Sequence, residues 1–132
     1  MPKKILIIED DANILYSLQA KLSAEGFSVK PETGNSGVKE ILLKIKLFKP
    51  DYVILDLMLP LIDGFDMLSA IKADSEISGV PVFIFTNLSD SDSKVRSEKL
   101  GADYYFIKSD FAVDEFVAKF KKIIKNKKKS GL

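Results

Sequence analysis

Three short apolar runs constrain the fold of this chain more than any other feature of its sequence. They lie at residues 5–8, 52–55 and 82–85, and none of them alternates with polar residues. Continuous β-rich runs of this length are typical of strands buried on both faces, as in a parallel sheet. Weaker candidates for two further strands lie at residues 27–30 and 104–107.

Helical periodicity fills the gaps between these runs. Three apolar stripes follow the helical repeat: Ile14, Leu15, Leu18 and Leu22; Val38, Ile41, Leu42 and Ile45; Phe116, Phe120, Ile123 and Ile124. A shorter helix is predicted near residues 64–74, and the weakest lies near 90–100, where only Val95 and Leu100 indicate an apolar side. A β-α order repeated five times predicts an α/β fold, a doubly wound parallel sheet with right-handed crossovers.

The composition favours one globular domain and removes several kinds of chemistry. The chain has 132 residues, 46% of them hydrophobic, and contains neither cysteine nor histidine. Disulfides, thiolate or histidine metal sites, cysteine nucleophiles and Ser-His-Asp catalysis are therefore excluded. No apolar run approaches the ~18 residues of a membrane span. The apolar start is also too short for a signal peptide, so we expect a cytoplasmic protein.

Charge is distributed unevenly along the chain. Residues 119–132 contain seven lysines and no acid, and the whole chain has a net charge of +1, so residues 1–118 carry −6. We expect one domain over residues 1–126 and a frayed basic tail over 127–132. The lysines complement the dipole at a helix C-terminus. Binding of nucleic acid or an anionic membrane is the alternative interpretation.

Polar residues follow four of the predicted strands. Ligands of a doubly wound sheet bind beyond the carboxyl ends of its strands, so these residues are expected to meet: Glu9, Asp10 and Asp11 after the first, Asp56 after the third, Thr86 and Asn87 after the fourth, and Lys108 after the fifth. Clustered carboxylates favour Mg²⁺, Mn²⁺ or Ca²⁺. A lysine and a threonine nearby would complete a phosphoryl site, in which an aspartate can attack phosphorus. Asp11 precedes a helix and is interpreted as its N-cap.

Four segments, in order and at strand ends, resemble the receiver domain of two-component response regulators. They are residues 5–11, 56–64, 82–86 and 101–108, and the resemblance extends from about Lys4 to about Ile124. It implies a five-stranded flavodoxin-like (βα)5 domain with strand order 2-1-3-4-5 and helices on both faces. It also implies a signalling switch rather than a turnover enzyme.

The resemblance implies a role for each site residue. Asp56 would be the phosphoacceptor, and the Mg²⁺ ligands would be Asp10, Asp56, the backbone carbonyl of Met58 and, through water, Glu9, with Mn²⁺ as a substitute. Lys108 and Thr86 would hold the phosphoryl group, and Tyr105 would be the aromatic switch. The donor would be a histidine kinase or phosphotransfer protein. Output would be protein–protein contact through residues 90–126, the fourth helix, fifth strand and fifth helix, with phosphorylation-linked homodimerisation as one form of it.

Several positions depart from the family pattern. Ser109 stands where proline usually follows the lysine, so we expect a trans bond and a different path for the loop to Val113. Asn87 is larger than the usual residue and would narrow access to the site. Met58 and Leu88 occupy positions that tune hydrolysis of the phosphoaspartate. Since neither can orient water, we expect slow self-dephosphorylation. Residues 87–93 are expected to be mobile without phosphate.

Three other functions remain as alternatives. A scaffold that binds partners without phosphorylation would not need the intact set of Asp10, Asp56, Thr86 and Lys108. A phosphatase with an aspartyl-phosphate intermediate usually carries an acid where Met58 stands. A flavin binder needs a phosphate-cradling loop where Glu9 begins an acidic run. We do not expect direct DNA binding, because no residues remain for an output domain.

Overall fold

Five parallel strands alternate with five α-helices along the chain. In the computed structural model, residues 1–130 are described, with side chains for residues 1–127. The strands are β1 Lys4–Ile8, β2 Ser28–Glu32, β3 Tyr52–Leu55, β4 Val82–Thr86 and β5 Tyr104–Ile107. The helices are α1 Ala12–Ala24, α2 Val38–Phe48, α3 Gly64–Ala73, α4 Ser91–Lys99 and α5 Val113–Ser130, and a short 3₁₀ turn, Lys108–Asp110, precedes α5.

The sheet has the strand order β2-β1-β3-β4-β5 with all neighbours parallel. This confirms the predicted fold class, including the five-stranded doubly wound sheet. From β1 the chain moves outward to β2 and then returns to the other side of β1 to form β3. The order therefore reverses between β1 and β3, and this reversal opens a crevice at their carboxyl ends.

The strand β1 is buried on both faces of the sheet, as its unbroken apolar run predicts. Its residues Ile5 and Ile7 pack into a core beneath α1 and α5. Its residues Leu6 and Ile8 pack into a second core beneath α2 and α3. Each of these four side chains is fully buried, and full burial of such a side chain stabilises the fold by roughly 1.5–3 kcal/mol.

Aromatic packing fixes α5 against the sheet. Phe85 of β4 stacks on Phe116 with 4.2 Å between ring centroids, and Phe83 meets Phe120 edge-on at 4.6 Å. Both α5 phenylalanines are fully buried. The stripe predicted for this helix is therefore its core-facing side, and the lysines between its members lie on the other sides.

Two predicted elements differ in detail from the structure. β2 covers Ser28–Glu32 rather than residues 27–30. It accommodates Pro31 because it is an edge strand, where a missing N–H donor is tolerated. α4 forms as predicted, but Val95 is 46% exposed and does not supply its apolar side, whereas Ser97 is its buried residue.

Side-chain caps define where several helices begin. The Asp11 carboxylate accepts the N–H of Ile14, which confirms its role as the N-cap of α1. Asp90 caps α4 in the same way. Before α5, the backbone N–H of Ala112 donates to the Glu115 carboxylate at 2.9 Å, so an acid in the first turn compensates for a poor capping residue.

The backbone after β5 has the trans geometry expected where serine replaces proline. The Lys108–Ser109 peptide bond is trans, and a 3₁₀ turn carries the chain towards α5. α5 continues to Ser130, so the predicted domain boundary at residue 126 falls inside this helix. The division into a domain and a tail stays a prediction, and its last residues, 131 and 132, lie outside the described residues. No helix among residues 1–130 has the length and apolar character needed to cross a membrane.

Candidate acidic site at the carboxyl edge of the sheet

Four of the predicted site residues lie at one edge of the sheet because their strands are neighbours. Ile8 of β1 pairs with Leu55 of β3, which places the next residues, Glu9 and Asp56, side by side. Thr86 is the last residue of β4 rather than the first after it. Lys108 follows β5 directly and begins the 3₁₀ turn.

Three carboxylates converge at this edge. Oxygen atoms from Glu9, Asp10 and Asp56 all lie within 4.8 Å of one another. Glu9 and Asp56 are 2% and 4% exposed, whereas Asp10 is exposed. Backbone groups orient the two buried acids, since Glu9 accepts the N–H of Asp11 and Asp56 accepts the N–H of Met58. The cluster is therefore built into the fold and open to solvent on the Asp10 side.

The Lys108 ammonium lies between the two buried carboxylates. Its Nζ is 2.7 Å from Glu9 Oε1 and 2.7 Å from Asp56 Oδ2. Burial would lower the pKa of this amine, but the hydrogen bonds to Asp56 and Glu9 outweigh burial and raise the pKa above its usual value. The lysine therefore stays charged and compensates the charge of a buried acid.

The pKa of the Glu9 carboxyl is strongly raised. Burial raises the pKa of its carboxyl to about 7; the charge of Asp56 adds to this rise, and the hydrogen bond from Lys108 opposes it. This carboxyl is therefore protonated more readily than an exposed glutamate. One ammonium does not fully offset three carboxylates in so small a volume.

The donor set fits a hard divalent cation. The converging atoms are carboxylate oxygens, and the sequence offers no histidine or cysteine anywhere. Oxygen-only sites suit Mg²⁺, Mn²⁺ or Ca²⁺, and Mg²⁺ is commonly held by one or two carboxylates while keeping several waters. Exposed Asp10 beside buried Asp56 allows such an ion to approach from solvent.

A hydrogen-bonded link connects Thr86 with Tyr105. Thr86 is fully buried, and its Oγ1 accepts a long hydrogen bond, 3.4 Å, from the N–H of Leu88. The Tyr105 hydroxyl donates to the carbonyl of the same Leu88 at 2.8 Å. Burial raises the pKa of Tyr105, so the hydroxyl remains a donor. Leu88 therefore joins the end of β4 to the ring on β5.

The remaining predicted site residues differ in their exposure to solvent. Met58 is 52% exposed and Asn87 is exposed, whereas Leu88 is partly buried against the core beneath α2 and α3. Asp11 caps α1 and is not among the three clustered carboxylates. The structure thus brings Glu9, Asp10, Asp56 and Lys108 together and leaves Asn87 at the solvent side.

Sequence reasoning missed one cation near the cluster. The Arg96 guanidinium of α4 stacks over the Phe65 ring of α3 at 4.1 Å. Arg96 also lines a groove of about 580 Å³ together with Asp10, Met58 and Asp63. Nothing in the spacing of residues 65 and 96 signals this contact, because it depends on how α3 and α4 pack side by side.

Fold and site together define a class of protein. A parallel sheet of order 2-1-3-4-5 carries an acidic cluster and a buried lysine at its switch point. This is a flavodoxin-like α/β domain whose polar site lies where such folds bind their ligands.

Sequence comparison identifies the family. The protein-family model "Response regulator receiver domain" matches residues 5–121, and the chain belongs to this family. Similar curated proteins include the DNA-binding dual master transcriptional regulator RpaA of Synechocystis, 34% identical over 125 residues, which are 95% of this chain and 50% of RpaA. The probable transcriptional regulator ycf27 of Porphyridium aerugineum is 32% identical over 129 residues, which are 98% of this chain and 51% of that protein. The chain spans about half the length of these relatives.

Solved structures agree with this assignment. The CheY-like receiver domain protein of Methanospirillum hungatei is 28% identical with a TM-score of 0.82, covering 98% of this chain and 99% of that one. The BeF3-activated receiver domain of DrrB, a Thermotoga maritima protein, is 30% identical with a TM-score of 0.77, covering 95% and 99%. The chain is thus a receiver domain of two-component signalling.

Proposed function

We propose that this chain is a phosphorylation-dependent switch that accepts a phosphoryl group on Asp56. The observation that carries the proposal is the position of the Asp56 carboxylate, which is buried, paired with Lys108 at 2.7 Å and flanked by Glu9 and Asp10. This arrangement keeps a nucleophilic carboxylate beside a fixed cation at an edge that small donors and partner proteins can reach.

The transfer would use groups of this chain and of its donor, together with a divalent cation. A carboxylate oxygen of Asp56 attacks the phosphorus of a phosphohistidine on a histidine kinase or phosphotransfer protein. A P–O bond forms, the P–N bond breaks, and the imidazole leaves with the electron pair of that bond. Lys108 pairs with the phosphoryl oxygens, and the Thr86 hydroxyl donates to one of them.

A divalent cation belongs to this proposal. Mg²⁺, or Mn²⁺ in its place, would be held by Asp10, Asp56 and the backbone carbonyl of Met58, with Glu9 acting through water. When bound, the ion would offset the negative charge of the transferring group. The convergence of three carboxylates within 4.8 Å supports this assignment.

The switch would pass through Leu88. If the Thr86 hydroxyl turns to the phosphoryl group, its contact with the Leu88 N–H is lost, and Tyr105 is bonded to the Leu88 carbonyl. A movement of Thr86 would thereby be transmitted to the Tyr105 ring on β5. We propose that α4, β5 and α5 form the output face, which acts by protein–protein contact or homodimerisation.

The phosphoryl group would be long-lived. Met58 stands two residues after Asp56 and Leu88 two residues after Thr86, and neither side chain offers a group that could orient an attacking water. Asn87 stands at the solvent side and would narrow access. The chain would then be a switch that loses its phosphoryl group slowly, without enzymatic turnover. A phosphoryl half-life of seconds in magnesium buffer would contradict this part of the proposal.

The partners are proposed at the level of class. The donor would be a histidine kinase or phosphotransfer protein, and the location would be the cytoplasm, where such donors carry their phosphohistidine. RpaA is described as DNA-binding, and this chain matches half of its length. DNA binding is therefore not carried over to this chain, and the downstream protein is left unnamed.

Beryllofluoride, a phosphoryl mimic, tests the switch directly. Amide NMR spectra would be recorded with Mg²⁺ and then with Mg²⁺ and beryllofluoride, for the wild type and for Asp56→Asn. We expect the wild type to shift at Thr86, Leu88 and Tyr105 and across the output face, and the variant to stay unchanged. Shifts confined to the acidic cluster would contradict the switch.

A further inference from the structure

A lysine-rimmed apolar groove lies at the amino edge of the sheet, opposite the acidic cluster. Its first cavity, of about 280 Å³, lies between the second half of α5 and the starts of β3, β4 and β5. The apolar lining includes Tyr52, Phe83, Tyr104 and Ile124. Phe83 belongs to the core, so the base of this cavity is rigid.

A second cavity adjoins the first and lengthens the groove. It has a volume of about 520 Å³ and shares Lys3, Tyr52 and Ile124 with the first cavity. It extends along α5 to Phe27, which packs edge-on against Phe120 at 5.9 Å. Together the two cavities reach the size of a small-ligand site.

The rim of the groove is cationic. Lys3 precedes β1 and lines both cavities, and Lys127 of α5 lies 5.9 Å above the Tyr104 ring in the first. The second cavity adds further lysines, Lys121, Lys122 and Lys125. Among the residues whose side chains are described, Glu25 is the one acid that lines either cavity, and it is ion-paired with Lys121. An anion in the groove therefore meets several ammonium groups.

We propose that this groove binds a small amphipathic carboxylate, an apolar chain or ring that carries one carboxylate group. The apolar lining would cover the chain or ring, and Lys3 and Lys127 would pair with the carboxylate. Tyr52 and Tyr104 are half-buried, and each carries a hydroxyl group of the kind that fixes a ligand's orientation.

A free ligand suits the groove better than a membrane surface. Binding to a lipid surface uses large apolar side chains that project into it. The exposed large apolar residues of the described chain are Met1, Tyr16, Leu43, Leu47, Met58, Leu61 and Val95. None of them lines either cavity. The large apolar side chains that line the groove are instead buried or partly buried.

The groove is independent of the acidic site. Tyr52 and Tyr104 begin their strands, whereas Asp56 and Lys108 follow the ends of the same strands. Ligand binding in the groove is therefore expected whether or not Asp56 accepts a phosphoryl group. The acidic cluster repels carboxylates, so binding of this ligand would be confined to the basic end.

Decanoate is a suitable probe, followed by amide NMR on the full chain. We expect saturable shifts at Tyr52, Tyr104 and Ile124, and none at Asp56. The double variant Lys3→Gln/Lys127→Gln should bind about tenfold more weakly, since it removes charge-assisted hydrogen bonds. The matched control is Lys94→Gln/Lys99→Gln on exposed positions of α4, which makes the same change in net charge and should bind as the wild type does.

Acetate, decyltrimethylammonium and phosphatidylglycerol vesicles distinguish binding in the groove from general charge attraction and from binding to a membrane surface. Acetate carries the charge without the chain, and decyltrimethylammonium carries the chain with the opposite charge; we expect neither to saturate the groove. Equal weakening in both double variants would overturn the proposal, because it would indicate general charge attraction. Binding to phosphatidylglycerol vesicles with no saturable decanoate shifts would also overturn it, in favour of a membrane surface. So would the absence of any binding.

Discussion

Lys108 and Asp56 lie 52 positions apart in the chain, yet their side chains form a 2.7 Å ion pair at the carboxyl edge of the sheet. The same ammonium is 2.7 Å from Glu9. The Lys108 ammonium thus lowers the free-energy cost of burying two carboxylates side by side, because it offsets the repulsion between them. The site and the stability of the fold depend on the same amine.

Removing this amine should destabilise the protein. The Lys108→Met variant leaves Asp56 and Glu9 without their buried cation, and breaking such a pair costs about 3 kcal/mol. Urea unfolding at pH 7 without divalent cations measures the loss. The control is Lys119→Met, which removes an exposed cation from the same half of the chain. Equal unfolding midpoints for Lys108→Met and the wild type would contradict the account.

Glu32, a third buried acid, makes stability depend on pH. Burial would raise the pKa of Glu32, but hydrogen bonds from Lys44 and from the N–H of Gly34 outweigh it and hold the pKa below its ordinary value of 4.5. The ionised form is therefore the one that the folded state favours. Its contribution to stability is present above about pH 4.5 and is lost as the pH falls through the lowered pKa.

The variant Glu32→Gln tests this pH dependence. It should be less stable than the wild type at pH 7, and the difference in unfolding free energy should shrink as the pH falls from 6 to 3. Glu76→Gln, at an exposed position, serves as the control and should track the wild type. A difference that stays constant or grows on acidification would show that the Glu32 charge does not stabilise the fold.

Gly64 allows the loop after Asp56 to close on α3. A Cβ at this position would lie 2.3 Å from the Cα and 2.5 Å from the carbonyl oxygen of Leu57, both backbone atoms that cannot rotate away. Gly64→Ala should therefore lower the unfolding free energy by about 2 kcal/mol and weaken Mg²⁺ binding, since Leu57 adjoins Asp56. Thermal unfolding and a Mg²⁺ titration measure the two effects.

Gly79→Ala provides the matched control for this prediction. An added Cβ there has no atom within 4 Å, and Gly79 is not among the glycines with positive φ. Its stability should stay close to that of the wild type. If the two alanine variants were equally stable, the close approach of Gly64 to Leu57 would not be a constraint on the fold.

The hydrogen bond from Tyr105 to Leu88 should restrain the segment between β4 and α4. Tyr105→Phe removes it and should cost about 1 kcal/mol. Amide hydrogen exchange over residues 87–93 should become faster than in the wild type, whose own exchange there is predicted to be rapid. Tyr16→Phe removes an exposed hydroxyl and should change neither quantity. Unchanged exchange in Tyr105→Phe would mean that the ring does not hold this segment.

Much of the fold could be predicted from local patterns. The apolar runs at residues 52–55 and 82–85 lie in strands β3 and β4, because a strand that is buried on both faces of a sheet needs an unbroken apolar run. The start of α4 lacks such a signal, since the helix exposes Val95 and buries Ser97. Its position depends on the Asp90 cap and on packing against α3, which sequence periodicity does not report.

The composition of the site was also predictable, but its internal pairing was not. Parallel strands bring their following residues to one edge, so Glu9, Asp56 and Lys108 could be grouped from their positions. The bridge from Lys108 to both acids requires side-chain geometry in three dimensions. The link from Thr86 through Leu88 to Tyr105 likewise runs through a backbone carbonyl and an N–H, which carry no sequence signature.

Intact mass spectrometry after incubation with Mg²⁺ and acetyl phosphate tests the central claim, that Asp56 is the phosphoacceptor. We predict one added phosphoryl group in the wild type, none without Mg²⁺, and none in Asp56→Asn, which keeps the size of the side chain and removes its nucleophilic charge. An adduct of the same mass in folded Asp56→Asn would contradict the assignment. So would a wild-type chain that is folded and binds Mg²⁺ but takes up no phosphoryl group from acetyl phosphate or from a phosphorylated histidine donor.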